Sequence, residues 1–432
     1  CGLQGAARNI PAARRHGRGR RRLPITGPPL CFAFFLPTIG TFWSCGLPVC
    51  DGEDMTSLSM RLRRLYTVPF PPLKIGELCA RRPIVQGGMG VGISLSGLAS
   101  AVANEGGIGV IAGAMIGMRE PDVAKNPIEA NLRALRQELQ LAREKTQGII
   151  GVNIMVALTT FTQMVRTAIE NHADVIFSGA GLPLDMPRHL RELCEEKKQE
   201  FKTKLVPIVS SARAATVIAK KWLSRFDYTP DAVVVEGPRA GGHLGFKVEE
   251  LDDPAFALEK LVPDVVESVK PFEDKSGRAI PVIAAGGIYN GEDIDKFLHL
   301  GASGVQMGTR FVATYECDAD QRFKESYLAA TDADVTIIKS PVGMPGRALN
   351  NAFIEAAREG RKKPFKCVFH CVSTCEQEKT PYCIASALIN AMKGNLERGF
   401  AFCGANVSRV KEIISVRELM DSLQREYEAV QA

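Results

Sequence analysis

Residues 236–246 of the chain read Glu-Gly-Pro-Arg-Ala-Gly-Gly-His-Leu-Gly-Phe, so one imidazole, His243, sits among four glycines directly after an apolar run. An imidazole near its ordinary pKa can take a proton from an acidic carbon or return one to an enolate. Flanking glycines free such a loop to bring the ring against a ligand, and a catalytic or substrate-orienting role outweighs that of a capping or core histidine. Glu236 ends the apolar run and reads either as a group that orients the loop or as a solvated, salt-bridged carboxylate. Two further glycine turns, Gly286-Gly287 and Gly308-Thr309, also follow apolar runs. Their backbone N–H groups and the Thr309 hydroxyl suit a phosphate monoester, although each glycine alone would merely permit a turn. Gln86 and Asn153 bring amide donors and acceptors that suit the edge of a planar ring. Gly87, Gly88, Met89, Gly181, Ser210, Gly241 and Gly242 stand at the matching ends of apolar runs and complete the candidate cofactor-binding set.

Cysteine chemistry is the other possibility, since the chain holds twelve. Cys1, Cys31, Cys45 and Cys50 fall near the start, while Cys79, Cys194 and Cys317 are scattered and read as small buried hydrophobes. Cys367, Cys371, Cys375 and Cys383 follow C-x3-C-x3-C-x7-C spacing, with His370 inside and Cys403 beyond. Such crowding favours metal, redox or catalytic use over structural disulfides. On a helix the first three would share a face at i, i+4 and i+8. That face could be inert packing. Four thiolates in so short a segment also satisfy the ligation of an iron–sulfur cluster, whereas zinc is less suited because closely paired cysteine knuckles are missing.

These residues need a scaffold that brings them together. From residue 83 onward, β-rich apolar runs at 83–86, 108–112, 149–155, 174–178, 205–210, 231–235, 280–284 and 304–307 alternate with helical patterns. The helical patterns cover 96–105, 128–145, 161–171, 187–201, 212–222, 255–269, 293–300 and 318–330. Alternation of this kind predicts repeated βα units on a parallel sheet. Eight strands, each followed by a helix, fit an α/β fold of the (β/α)8 barrel type, in which residues just past the strand C-termini share one face. An open doubly wound sheet would want an acidic residue closing its second strand, and none is there. In a barrel, the loops after strands seven and eight build phosphate sites from backbone N–H groups and helix N-termini, which matches Gly286, Gly287, Gly308 and Thr309.

The formal charge of +6 hints at nucleic acid until it is located: residues 1–54 hold seven Arg and three acids, leaving +2 for the rest. A near-neutral body offers no electrostatic footprint for nucleic acid. In that first stretch a basic run at 14–22 precedes an apolar stretch at 29–50, which resembles a signal or anchor, but Pro37 and Pro48 interrupt it. Residues 1–59 are therefore expected to be a non-native or disordered N-terminal extension, with Met55 or Met60 as initiator. A barrel at 60–330 and a helical, Cys-rich extension at 331–432 that packs on the barrel mouth complete the expected organisation.

Five motifs in order carry a resemblance: Pro83-Ile-Val-Gln-Gly-Gly-Met89, Val152-Asn-Ile-Met155, Glu236-Gly237 with Ala240-Gly-Gly-His243, Pro281-Val-Ile-Ala-Ala-Gly-Gly-Ile288 and Val305-Gln-Met-Gly-Thr-Arg-Phe311. Together they resemble the nitronate monooxygenase (2-nitropropane dioxygenase-like) superfamily, which includes the flavin-dependent enoyl-ACP reductases. The resemblance implies an FMN-binding barrel with the phosphate at Gly286, Gly287, Gly308 and Thr309, the ring against Gln86, Met89 and Asn153, and His243 as the functional imidazole. It implies either oxidation of alkyl nitronates by O2 to a carbonyl compound and nitrite, or NAD(P)H-dependent reduction of an enoyl thioester. A flavin and iron–sulfur electron-transfer accessory protein is a third reading. IMP dehydrogenase-like barrels share the phosphate-site wording but need a cysteine in the loop after strand six, where this chain has His243. The expected setting is cytoplasmic, with a small-molecule substrate, a homodimeric assembly, and no nucleic-acid or membrane partner.

Overall fold

The computed structural model describes residues 69–362, 367 and 369–431. The extension expected at 1–59, with Met55 and Met60, lies outside the described residues. A short antiparallel hairpin, β1 (Leu73–Ile75) and β2 (Leu78–Ala80), leads into β3 (Ile84–Gln86). With β4 (Ile108–Ala112), β5 (Ile149–Met155), β6 (Val175–Gly179), β7 (Lys204–Val209), β8 (Val233–Glu236), β10 (Val282–Ala285) and β11 (Gly304–Met307), it closes a parallel barrel in which β11 returns to β3. All eight strands lie within two residues of their expected positions. Between and after them run α1 (Ser96–Asn104), α2 (Pro127–Lys145), α3 (Phe161–Glu170), α4 (Met186–Lys197), α5 (Ala212–Phe226), α6 (Leu258–Ser276), α7 (Gly291–His299), the single turn α8 (Thr309–Val312) and α9 (Gln321–Leu328).

Successive side chains on a strand point to opposite faces, and that rule separates two cores. Outward residues such as Ile150, Val152 and Ile154 of β5 or Val233 and Val235 of β8 pack under the helices. Inward residues, among them Val110, Phe177, Val206, Val234 and Ile283, fill the barrel together with Leu73, Ile75 and Ala80 of the hairpin. Full burial of each such side chain contributes about 1.5–3 kcal/mol, so the lower barrel is a packed core, and chemistry is confined to the opposite end. One close approach depends on glycine: a Cβ at Gly109 of β4 would lie 1.8 Å from the carbonyl oxygen of Ala99 in α1.

Beyond α9 the chain carries the expected helices, α10 (Ala352–Arg358), α11 (Ile384–Met392) and α12 (Val416–Gln431), and also an antiparallel hairpin that the sequence reading did not foresee. Its strands are β12 (Val335–Lys339) and β13 (Pro345–Leu349), and β13 pairs on its other side with β9 (Gly242–His243), the two-residue strand in the loop after β8. A small core of Ile338, Ala348, Phe353, Tyr382 and Phe400 holds this extension together.

The helical face expected for Cys367, Cys371 and Cys375 does not form. Residues 369–372 run against the loop after β5 and turn at 373–374: Val372 bridges Leu158, and Thr159 N–H donates to the Cys371 carbonyl at 3.2 Å. Ser373 N–H donates to the Ala157 carbonyl at 2.9 Å, and His370 has a left-handed φ of 43°. A left-handed residue followed by the β-branched Val372 and Thr374 opposes a helix, and the segment satisfies its backbone on the barrel instead.

Candidate active site

A cavity of about 310 Å³ opens at the C-terminal ends of the barrel strands. Its floor is the last inward layer of the barrel: Gly87, Asn153, Met155, Gly179, Ile208, Glu236, Ala285 and Gln306. Alternation explains this membership, because Asn153 is two residues past inward Gly151, and Glu236 two past inward Val234. Glu236 is the one carboxyl among the lining residues, and burial alone pushes it up from 4.5 to about 7.

The same alternation removes Gln86 from the site. It follows inward Val85, points outward and is fully buried; its Oε1 accepts from Val110 N–H at 2.9 Å and its Nε2 donates to the Gly87 carbonyl at 2.6 Å. Gln86 therefore pins β3 to β4 and leaves no polar atom for a ring. Gly181 and Ser210 also lie outside the lining. Gly181 makes a turn at φ 132°, where a Cβ would meet Val156 at 2.9 Å, and Ser210 Oγ donates to the Gly245 carbonyl at 3.0 Å, fastening one end of the His243 loop. The other expected residues meet in the cavity: Gly87, Gly88, Met89, Asn153, Gly241, Gly242, His243, Gly286, Gly287, Gly308 and Thr309 all line it.

His243 projects from β9 as a strand residue. Gly346 on β13 is its partner, and Leu244 N–H donates to the Pro345 carbonyl at 2.8 Å. The ring stands edge-on to Phe402 with centroids 5.0 Å apart, and Nε2 lies 2.7 Å from Oγ of buried Ser340. With Nε2 engaged, Nδ1 is the nitrogen left for a ligand. Burial draws the imidazole down to about 4, so it is neutral at physiological pH. Arg347, buried on β13, reaches under the loop and donates Nη1 to the carbonyls of Pro238 and of Ala240, the latter at 2.8 Å. Ser340 and Arg347 are separated from the loop by about a hundred residues of sequence, and no local signal marks them.

The glycine turns face the cavity as expected, but the N-terminus of α7 does not contribute. Asn290 caps α7 by accepting from Asp293 N–H at 3.0 Å, and Glu426 of α12 accepts from Gly291 N–H at 2.8 Å, while α8 is a single turn. The donors for an anion are instead two loop amides and the first amide of α8: among the described residues, the N–H groups of Gly286, Gly287 and Thr309 have no protein acceptor. Gly286 and Gly287 hold left-handed φ of 98° and 86°, and a Cβ on Gly287 would come within 2.9 Å of Arg239 Cβ. Thr309 Oγ1 accepts from Gly404 N–H at 2.8 Å, and Asn406 Nδ2 donates to the Gly287 carbonyl at 2.5 Å. Arg310 lies on the rim, its guanidinium 4.2 Å from the Tyr289 ring centroid. A phosphate fits this set of amides with cationic charge beside them. A planar ring fits the space bounded by Gly88, Met89 and Asn153. Gln306, Tyr289, Arg310, Phe402, Cys403 and Asn406 also line the cavity and were not singled out from sequence.

Cys371 is pushed up to about 12 by burial and by the neighbouring Cys383, Cys367 and Cys375, so the four thiols do gather. Among the described residues, however, no group of three or more His, Cys, Asp or Glu side chains is arranged to hold a metal ion. Among the same residues, no helix is long and apolar enough to cross a membrane.

A family model described as nitronate monooxygenase matches residues 72–426. A probable nitronate monooxygenase of Staphylococcus aureus strain Newman is 30% identical over 303 residues, which are 63% of this chain and 76% of the relative. Among solved structures, FabK from Thermotoga maritima superposes with a TM-score of 0.61 at 30% identity, over 81% of this chain and 94% of its own. Nitroalkane oxidase from Streptomyces ansochromogenes shares the fold, with a TM-score of 0.61 at 22% identity over 81% of this chain and 96% of its own.

Proposed function

Because the chain belongs to the nitronate monooxygenase family of oxidoreductases, we propose that it is an FMN-dependent enzyme oxidising alkyl nitronates with O2 to a carbonyl compound and nitrite. The observation that carries this reading is the cavity itself, which brings the unpaired amides of Gly286, Gly287 and Thr309 into one space with a neutral imidazole. Gly286, Gly287, Gly308 and Thr309 would hold the phosphate, with Arg310 beside them, and Gly87, Gly88, Met89 and Asn153 would border the ring. When bound, FMN supplies a two-electron acceptor that O2 can reoxidise. The chain's own work is to exclude water, orient the substrate and manage charge. Phe402 and Met155 wall the cavity with apolar surface. His243, held by Ser340 and neutral, is a better hydrogen-bonding group for the substrate's nitro oxygens than a base.

A second reading, NAD(P)H-dependent reduction of an enoyl thioester, is supported by the likeness to FabK over 94% of that chain. Anaerobic stopped-flow of the FMN-loaded protein separates the two. Rapid bleaching of the flavin by an alkyl nitronate alone is the expected result. Bleaching by NADH or NADPH in its place favours the reductase, and bleaching by neither sinks both. Replacement of His243 by Ala should leave FMN bound and slow turnover by about 10²-fold or more; unchanged rates with every substrate would remove its role.

A further inference from the structure

Arg347 on β13 is a buried charge that the proposed reaction leaves without a task. It is 7% exposed, and among the described residues its side chain forms no ion pair; its hydrogen bonds go to the carbonyls of Pro238 and Ala240. The charged or titratable groups that face it are Arg239 and Asp252, both exposed and of opposite sign, and the Cys403 thiol, which burial keeps protonated. A guanidinium stays charged even where burial draws its pKa down. This charge is therefore uncompensated where water cannot screen it, a costly arrangement unless an anion shares it.

The fold sets that charge directly behind the cavity wall. Arg347 is the register partner of Gly242, one residue from the His243 and Gly346 pair, and its own carbonyl accepts from Cys403 N–H at 3.2 Å. Ala240, Gly242, His243 and Cys403 all line the cavity. In front of the guanidinium the imidazole presents a donor. Ser340 Oγ already accepts from Val342 N–H at 3.2 Å, and among the described residues Nε2 of His243 is the acceptor within reach of its hydroxyl hydrogen. A buried hydroxyl donates where it can. The proton of the neutral ring therefore sits on Nδ1, the nitrogen left for a ligand.

Resting on the nitronate reading, we infer that Arg347 is a positioning residue that makes the imidazole end of the cavity a subsite for a planar oxyanion. His243 Nδ1–H donates to the anion, and the guanidinium behind Ala240 is its counter-charge. A hydrogen bond to an ionised oxygen is about twice as strong as one to a neutral oxygen, and a cation in a water-poor wall widens the difference. At the other end, a phosphate on the glycine turns would neutralise Arg310. Arg347 then remains the cation that selects for charge. The loop carbonyls of Pro238 and Ala240 need only a donor, whereas the subsite needs a positive charge, so substitution can separate the two roles.

Nitrate, a planar anion with no carbon to oxidise, is titrated into the FMN-loaded protein at constant ionic strength and followed by the flavin absorbance. Arg347→Lys keeps the charge and loses the planar fork; Arg347→Gln keeps a donor for the loop and loses the charge. The nitrate Kd should rise about tenfold or more in Arg347→Gln and stay within about threefold of wild type in Arg347→Lys. KM for the nitronate of nitroethane should follow the nitrate, with kcat changed less. Equal losses in both variants, or rescue by Gln instead of Lys, would make Arg347 a brace for the loop and overturn the subsite. A second measurement needs no variant of Arg347. In nitrogen NMR of the loaded wild type, His243 should carry its proton on Nδ1, and saturating nitrate should shift that resonance; a proton on Nε2, or no shift, overturns the subsite even if Arg347→Gln does not fold. If nitrate obeys the charge pattern while no nitronate is oxidised, the nitronate reading has failed and the anion subsite stands. If the nitronate is oxidised and nitrate ignores the charge, the subsite falls alone.

Discussion

The floor of the cavity is made by the ends of seven of the barrel's strands, Asn153, Glu236 and Gln306 among them, whereas its roof is assembled from Ser340, Phe402, Cys403 and Asn406 of the C-terminal extension. The floor obeys one local rule, that every second residue of a strand faces inward. The roof obeys pairings across long sequence separations, β9 against β13 and Gly404 against Thr309. The difference teaches that the cavity's pH-dependent charge is decided in the barrel, while its shape and the orientation of its imidazole are decided in the extension. Mutations in the two regions should therefore fail in different ways.

The largest expected effect belongs to the floor and needs no cofactor. Burial raises Glu236 from 4.5 to about 7, so the native state holds this proton more tightly than the unfolded chain. The stability it contributes is full below pH about 4.5 and is lost as pH rises through about 7. In urea unfolding, the wild type should lose about 3 kcal/mol relative to Glu236→Gln between pH about 4 and about 8. His243 is common to both proteins and drops out of the difference. A difference that stays constant with pH would mean that the floor is as wet as the surface.

Next comes Gln86, which tests the inward-outward rule on the same layer. Gln86→Leu should leave two buried backbone groups unpaired and lower unfolding free energy by about 2 kcal/mol, with the spectrum of bound FMN unchanged. A shifted flavin spectrum would return Gln86 to the site. On the roof side, a Cβ at Gly241 would meet the Cys403 carbonyl carbon at 2.5 Å and Gly404 N at 2.6 Å. Gly241→Ala should weaken FMN binding about tenfold in a fluorescence titration while leaving the pH dependence of stability alone. Smallest is Ser340→Ala, which frees His243 Nε2 and removes about 1 kcal/mol of orientation. It should reduce kcat a few-fold with little change in FMN affinity, and an equal loss in affinity would make Ser340 a packing residue only.

How much of this could be read from the chain follows the same division. The β-rich runs located all eight strands, because each is a short, largely apolar run and six of them end in or run directly into glycine. The amide of Gln86 suits a ring edge but its parity does not, because adjacent Val85 already occupies the inward face. Glu236 was open to the right reading, since Val234 two residues earlier is inward. Nothing local in Pro345–Leu349 tells that it will extend the His243 loop into a sheet, and Arg347 looks like any surface arginine until Pro238 and Ala240 are seen above it. The cysteine spacing suggested a helix because it repeats every four residues. The left-handed His370, the β-branched neighbours and the waiting backbone of Ala157 and Thr159 prevailed.

The pairing of β9 with β13 bears on how this enzyme can be inherited. A barrel whose histidine loop is completed as a strand by the extension is not a portable module, and recombination that exchanged the two parts between relatives would have to preserve their register. Sheet faces invert with each single-residue slip. Deletions between Ser340 and Pro345 should accordingly be more tolerable in pairs than singly, and the lineage of this chain would be free to vary its barrel helices long before it could vary the length of that turn.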